Sequence, residues 1–328
     1  MQTRLQPITP HVIAALGRTN VGILLDAGGA GSISAYLIDS GGSARDAAQL
    51  LELTEDYCMR TFGRGMCLRA VLCTHSHADH CGGNAYLQQK TRCGVWATHG
   101  EAPGIEDQRL EPSLIWGGSA IPEMRGAFYE AQNSHVTRTL RGHEEIALGA
   151  LRVRVIPLPG HYLEPAGFLV QDTDVGKSVF FLGDALFGRK NMGRHWIPYI
   201  YDIDDFKKSL ETIAGTKSDL FLPSHGDLTA SVDEVIELDL LAIMETEEAI
   251  VSILRQACGA EELLKKIADM NGISMVIGQC VLIGSTVRAY ITSLYKAGRI
   301  FPLMHDNRLL WQAAQKQRGS AQSTEHGS

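Results

Sequence analysis

The run Thr74-His75-Ser76-His77-Ala78-Asp79-His80, followed by Cys81-Gly82-Gly83, places four potential metal ligands within six residues. Ahead of it, Arg69-Ala70-Val71-Leu72-Cys73 is apolar and β-prone, so His75 and His77 are expected at a strand end, where residues two apart point the same way. Both imidazoles can then reach one ion. Asp79 and His80 follow where the chain is expected to turn into a helix through Gly82, Gly83 and Asn84, which aims their side chains at a second position beside the first. The spacing reads as a nest for two metal ions. Imidazole with carboxylate suits zinc, and also iron and manganese, so two Zn2+ are the expected cofactors, with Fe or Mn as alternatives.

The pattern H-x-H-x-D-H resembles the signature of the metallo-β-lactamase superfamily, over residues 10–230. Further ligands that this family needs are present and in order. After an expected strand at Leu151–Pro157 comes Leu158-Pro159-Gly160-His161; after another at 178–182 comes Gly183-Asp184-Ala185; after a third at 219–222 comes Pro223-Ser224-His225-Gly226. The resemblance implies that His75, His77 and His161 hold the first metal, that Asp79, His80 and His225 hold the second, and that Asp184 bridges them. Seven ordinary polar residues at strand ends would not produce four motifs in this order. At Asp184 the chain departs from one large class of zinc β-lactamases, which carry Cys there. It also carries Phe187 roughly where acyl-homoserine lactonases of this superfamily place a Tyr, and shows no late basic cluster of the kind with which glyoxalase II enzymes hold glutathione.

Length and composition fit a soluble enzyme. The 328 residues, 45% hydrophobic, can bury a large core and exceed what one sandwich needs, which predicts a second domain. A net charge of -7 argues against a general polyanion binder. Neither a secretory signal nor a membrane span is read in the sequence. The seven Cys are odd in number and scattered, which suits reduced thiols and a cytoplasmic location.

The expected fold is α/β: a four-layer αββα metallo-β-lactamase sandwich over residues 1–232, a small helical winged-helix-like domain over 233–315, and a flexible tail over 316–328. Strands are expected at Val21–Asp26 and 34–39, and helices at Ala44–Phe62 and 84–90. From 101 to 148 regular signals fade, with Pro103, Pro112, Gly117, Gly118 and Pro122 breaking the chain. So long an irregular insert, lying between the metal motif and His161, reads as a lid or wall over the site. A second insert, 187–202, holds Arg189, Lys190, Arg194 and His195 beside Tyr199, and a cationic, aromatic wall close behind Asp184 suits substrate binding through a carboxylate or phosphate.

Helices are expected at 232–253, 260–270 and 285–297, followed by a hairpin around His305-Asp306-Asn307. Helices followed by a hairpin resemble the winged helix appended to one branch of the superfamily. Basic residues there are offset by Glu and Asp, so packing or homodimer formation is expected and nucleic-acid binding is not. His99, His135, His143 and His305 fall in no ligand spacing with one another, and Cys81 is expected to pack behind the site.

Two adjacent dications lower the pKa of a shared water, polarise the electrophile and stabilise the developing oxyanion; Asp79, the expected catalytic residue, orients the hydroxide. The expected function is hydrolysis of an ester, thioester or lactone of a small substrate, anionic ones included. The alternative is an RNA or DNA phosphodiesterase that uses the C-terminal domain for nucleic-acid contact.

Overall fold

The computed structural model describes residues 3–187 and 198–314. The alternation of Leu151–Pro157 shows how the sequence builds it: Leu151, Val153 and Val155 are buried while Arg152 and Arg154 face out, the period of a strand with one face on a core. That strand belongs to a five-stranded sheet, and a seven-stranded sheet lies opposite. Leu151, Val153, Val155, Phe168, Val170 and Phe181 of the smaller sheet pack with Val12, Ala14, Leu24, Ile38 and Leu72 of the larger. This is the middle of the sandwich.

The outer face of the large sheet carries Ile13, Ile23, Leu37, Val71 and Val95 against Ala47 and Leu50 of helix α1 (Ala44–Phe62) and Leu87 of a second helix (Asn84–Thr91). Helix α1 starts where the Ser43 side chain accepts a hydrogen bond from the Asp46 amide and ends at Gly63, whose φ of 65° closes it. On the other side, Phe180 and Leu182 of the small sheet pack with Phe206 and Leu210 of the helix Ile203–Gly215 and with Ile236 and Ile243 of the helix Asp233–Ile253. The four layers are therefore helices, sheet, sheet, helices.

Sheet topology explains where the ligands collect. The strands Ile33–Ile38, Met66–Leu72 and Gly94–Thr98 run parallel, and Lys177–Gly183 runs parallel to Leu220–Pro223. Their carboxyl ends deliver Asp39, His75, Asp184 and His225 to one rim of the sandwich.

Three expectations change. The 101–148 insert is not irregular: it holds helices at Ala102–Glu106 and Leu110–Trp116, a 3-10 turn at Pro122–Met124 and strands at Arg138–Leu140 and Glu145–Leu148. Its prolines sit in first turns, where a missing N–H does no harm. The last long helix begins at Ile277, not 285; its first turns pack against Tyr129 and Ile115 of the insert, and a Cβ at Gly278 would stand 2.5 Å from the Tyr129 hydroxyl, which would have to shift. The stretch before residue 20, read only for targeting signals, forms strands Arg4–Pro7 and Val12–Leu16 that extend the large sheet. The hairpin is present as Ile300–His305 paired with Arg308–Ala313. The last third of the chain forms helices at Asp233–Ile253, Ala260–Met270 and Ile277–Lys296, and their buried residues, among them Leu263, Val287 and Leu294, belong to the same apolar cluster as Phe180 and Phe206.

Candidate metal centre

The metal motif is held from behind by one carboxylate. Asp39, at the end of its strand with φ 62°, accepts hydrogen bonds from the Thr74 amide and hydroxyl, both at 2.8 Å, and lies 2.9 Å from Nδ1 of His80. His75 has its Nδ1 3.0 Å from the Thr74 hydroxyl. The short helix Ala78–Cys81 then packs on the Gly41–Gly42 turn, an approach so close that a Cβ at Gly82 would stand 2.5 Å from the Gly42 carbonyl oxygen.

His161 and His225 are fixed in the same way. Nδ1 of His161 is 3.0 Å from the Tyr199 carbonyl and Nδ1 of His225 is 3.0 Å from the Arg18 carbonyl. Gly160, just ahead of His161, takes φ +113° with the Phe206 backbone nitrogen 2.2 Å from where a Cβ would be, so no other residue fits there. Asn20 braces the His225 loop by donating to the carbonyls of Pro223 and Gly226 at 2.9 and 2.7 Å.

These anchors bring the donors together in two groups, joined by a third, His75, His80 and Asp184, that shares a residue with each. His75, His77 and His161 form one, with Nε2 of His161 3.1 Å from Nδ1 of His77; Asp79, His80 and His225 form the other, with Nε2 of His225 3.0 Å from Asp79. Asp184 lies between, 3.4 Å from His80, 3.6 Å from His161 and 3.4 Å from His225. Ligand atoms within each group lie within 4.8 Å of one another.

Whether this set fits a cation can be judged from unmet polar demand. Nε2 of His75 is buried without a hydrogen-bond partner, and Nε2 of His80 and Oδ1 of Asp184 have none beyond their own 3.4 Å ion pair, a costly state for polar atoms that do not meet a ligand. Burial holds His75, His77 and His161 below the usual imidazole range, in the neutral form that ligates. Burial also opposes a charge on His80, but Asp184, Asp79 and Asp39 outweigh it and push its pKa up. Asp184 above all, against the pull of burial, raises His225 to about 10. Burial alone would raise the two carboxylates; the charges of His225 and His80 beside Asp184, and of His80 beside Asp79, pull them below the ordinary carboxylate range. The pocket is built to surround positive charge, and imidazole with carboxylate donors suits a divalent transition metal.

All seven residues expected as ligands are thus in one place. Of the residues expected to bind substrate, Arg189, Lys190, Arg194 and His195 lie outside the described residues. Tyr199 is beside the centre, its ring 5.7 Å from His161 and 5.6 Å from His77. Cys81 sits behind the motif, its thiol donating to the Ser76 carbonyl at 3.2 Å. Sequence reading missed the supporting groups: Asp39, Glu101, Glu111, Arg18 and Asn20. Glu101 accepts from the Ser76 amide and hydroxyl and from the Glu164 amide, which ties the first motif to the loop after His161. Asp39 alone left a trace, as a polar residue closing an apolar strand.

A cluster of imidazoles and carboxylates at the strand ends of an αββα sandwich defines a metal-binding α/β protein. Residues 19–239 match the metallo-beta-lactamase superfamily, and the chain belongs to that family. It is 32% identical over 127 residues to a hydroxyacylglutathione hydrolase of Thiobacillus denitrificans, a match that covers 38% of this chain and 36% of the relative. The chain thus spans about a third of the length of that relative. It is 21% identical over 285 residues to an atrochrysone carboxyl ACP thioesterase of Pseudocercospora fijiensis, covering 84% of this chain and 70% of the relative. Among solved structures, a beta-lactamase domain protein from Burkholderia ambifaria superposes with a TM-score of 0.70 at 19% identity, covering 94% of this chain and 93% of the other. A metallo-beta-lactamase family protein from Thermus thermophilus gives a TM-score of 0.67 at 19% identity, covering 95% and 99%; these likenesses concern the fold.

Proposed function

We propose that the protein is a dinuclear zinc-dependent hydrolase that cleaves the thioester of a small acyl substrate, with oxygen esters and lactones as the nearest alternatives. The observation that carries the reading is the convergence of His75, His77 and His161 beside Asp79, His80 and His225, with Asp184 between them. Thioesters are favoured because two separate groups of relatives, hydroxyacylglutathione hydrolases and an acyl carrier protein thioesterase, are named for thioester substrates. The acyl groups and the thiol carriers in those names differ, so the thioester bond is the part of the substrate they share.

His75, His77 and His161 would hold the first ion and Asp79, His80 and His225 the second, with Asp184 shared. Bound there, two divalent cations supply a water acidified to near neutral pH and a Lewis acid for the acyl oxygen. Asp79 provides the orienting group. Its carboxylate is the most exposed of the set, 41% accessible, and the Thr19 hydroxyl at 3.4 Å and His225 at 3.0 Å hold it in place, so it can accept a hydrogen bond from the attacking water and fix the direction of its lone pair. Tyr162, whose ring is 4.6 Å from that of His77, and Tyr199 wall the neighbouring space and exclude bulk water from the acyl carbon.

Residues 233–315 are proposed as a winged-helix-like unit that serves packing and homodimer formation; the sharing of one apolar cluster with the sandwich supports the packing role. A cytoplasmic location is in keeping with seven free thiols, and among the described residues no helix is long and apolar enough to cross a membrane. The proposal can be tested by turnover of S-acylglutathiones, acyl-pantetheine thioesters, aryl esters, a lactone and a phosphodiester by zinc-loaded protein. Thioesters should be the fastest class; cleavage of the phosphodiester alone would overturn the reading.

A further inference from the structure

Four of the five clustered histidines are held alike. Nδ1 of His75, His80, His161 and His225 meets the Thr74 hydroxyl, Asp39, the Tyr199 carbonyl and the Arg18 carbonyl, which leaves Nε2 to face the centre. His77 is reversed. Its Nδ1 faces inward, 3.1 Å from Nε2 of His161, and its Nε2 is buried and without a hydrogen bond.

Facing that nitrogen, 3.8 Å away, is Oε1 of Glu111. Glu111 lies in the helix Leu110–Trp116 of the insert, 7% exposed, and its Oε2 also has no hydrogen-bond partner. Two orphaned groups that could satisfy one another thus stand just beyond hydrogen-bond reach. A buried carboxyl without a partner is costly and is seldom kept for stability alone. Histidines that bind metal commonly give their outer N–H to such a carboxylate, which selects the tautomer and fixes the ring.

We infer that Glu111 is the positioning residue for His77, accepting a hydrogen bond from its Nε2–H so that Nδ1 is presented to the first metal position. The inference rests on the proposed metal centre. It also gives the insert a role, because the helix that carries Glu111 completes the first position from outside the sandwich.

The test compares zinc retention against a chromophoric chelator in the wild-type protein, Glu111→Met and Glu111→Gln, with thermal melting of each apoprotein. Glu111→Met should weaken retention of one ion about 10–100-fold, while its apoprotein melts at or above the wild-type temperature because an unpaired buried carboxyl has gone. Glu111→Gln should recover much of the affinity, since its amide oxygen still accepts. In parallel, nitrogen NMR of the zinc-loaded wild-type protein should show His77 alone among the five histidines protonated at Nε2, a readout that needs no variant to fold. Unchanged zinc retention in Glu111→Met, or His77 bound through Nε2, would overturn the inference and leave the metal centre standing; a wild-type protein that takes up no zinc would overturn both.

Discussion

The two halves of the metal centre differ in how they are enclosed. At the first position His75, His77 and His161 are 0%, 8% and 4% exposed, braced by Thr74, the Tyr199 carbonyl and, in our inference, Glu111. At the second, His80 is equally buried, but the Asp79 and His225 side chains are 41% and 26% accessible. The first is the more deeply buried part of the rim, whereas the second is the more open, with the Arg18 carbonyl and Asn20 bracing the His225 loop. In the proposed dinuclear centre, burial would preorganise one position for tight retention, and exposure would leave the other open to exchange, water and substrate. The first ion should therefore be the structural partner and the second the easier to lose.

The group common to both halves should matter most. Replacing Asp184 with Ala is expected to reduce turnover to the level of an uncatalysed control and to lower the affinity of both positions, measured by thioester hydrolysis and elemental analysis; a variant that keeps one ion fully and loses none of its rate would erase the distinction between shared and separate ligands. Next comes His225→Ala. It should remove the rim ion, leave the first in place because His75, His77 and His161 are untouched, and cost more activity than the about 10–100-fold typical of losing an outer partner.

Asp39→Asn probes the buried wall. Its carboxylate meets Thr74 twice and His80 once, so the variant should lose about 10–100-fold in affinity at the second position, with a smaller change at the first through His75. Equal weakening at both positions would mean that the strand end, and not His80, is what Asp39 holds.

Much of this was legible in the sequence, for a physical reason. The ligands follow the strands Met66–Leu72, Leu151–Pro157, Lys177–Gly183 and Leu220–Pro223, and apolar runs with a polar residue just beyond them are visible in one dimension. What could not be read were partners distant in the chain. Glu101 meets Ser76 and Glu164, Arg18 meets His225, and Glu111 faces His77, and none of these pairs has a spacing that marks it. The insert has no regular signal in the sequence because prolines, which break helices from within, here stand in the first turns of short ones. The early strand Val12–Leu16 is buried on both faces, so it lacks the alternation that announces a strand.

A smaller effect separates the catalytic rim from the helices behind it. Asp239, on the helix Asp233–Ile253, accepts from the Phe187 amide at 2.8 Å while its other oxygen is buried and unpartnered. Burial, against that single hydrogen bond, pushes its pKa up to about 7. A carboxyl whose folded pKa lies above its unfolded value favours the folded state most when protonated, below the ordinary Asp range, and that contribution is lost as pH rises through about 7. The Asp239 contribution should therefore lower the melting temperature of the apoprotein by a few degrees from pH 5 to pH 8, a difference that Asp239→Asn should remove. Glu101, raised mainly by burial to about 7 as well, acts in the same direction, as do the raised His80 and His225, while the lowered His75, His77 and His161 act in the opposite one. A slope unaltered by the substitution would show that Asp239 is ionised throughout.

The central claim, two positions of unequal hold, is tested most directly by counting ions during graded chelation. Protein purified without chelator and supplied with zinc should carry close to two ions per chain, and mild chelation should bring this to a plateau of one, the same content found in His225→Ala without treatment. A wild-type content that never exceeds one, or a loss of both ions in a single step, would contradict it.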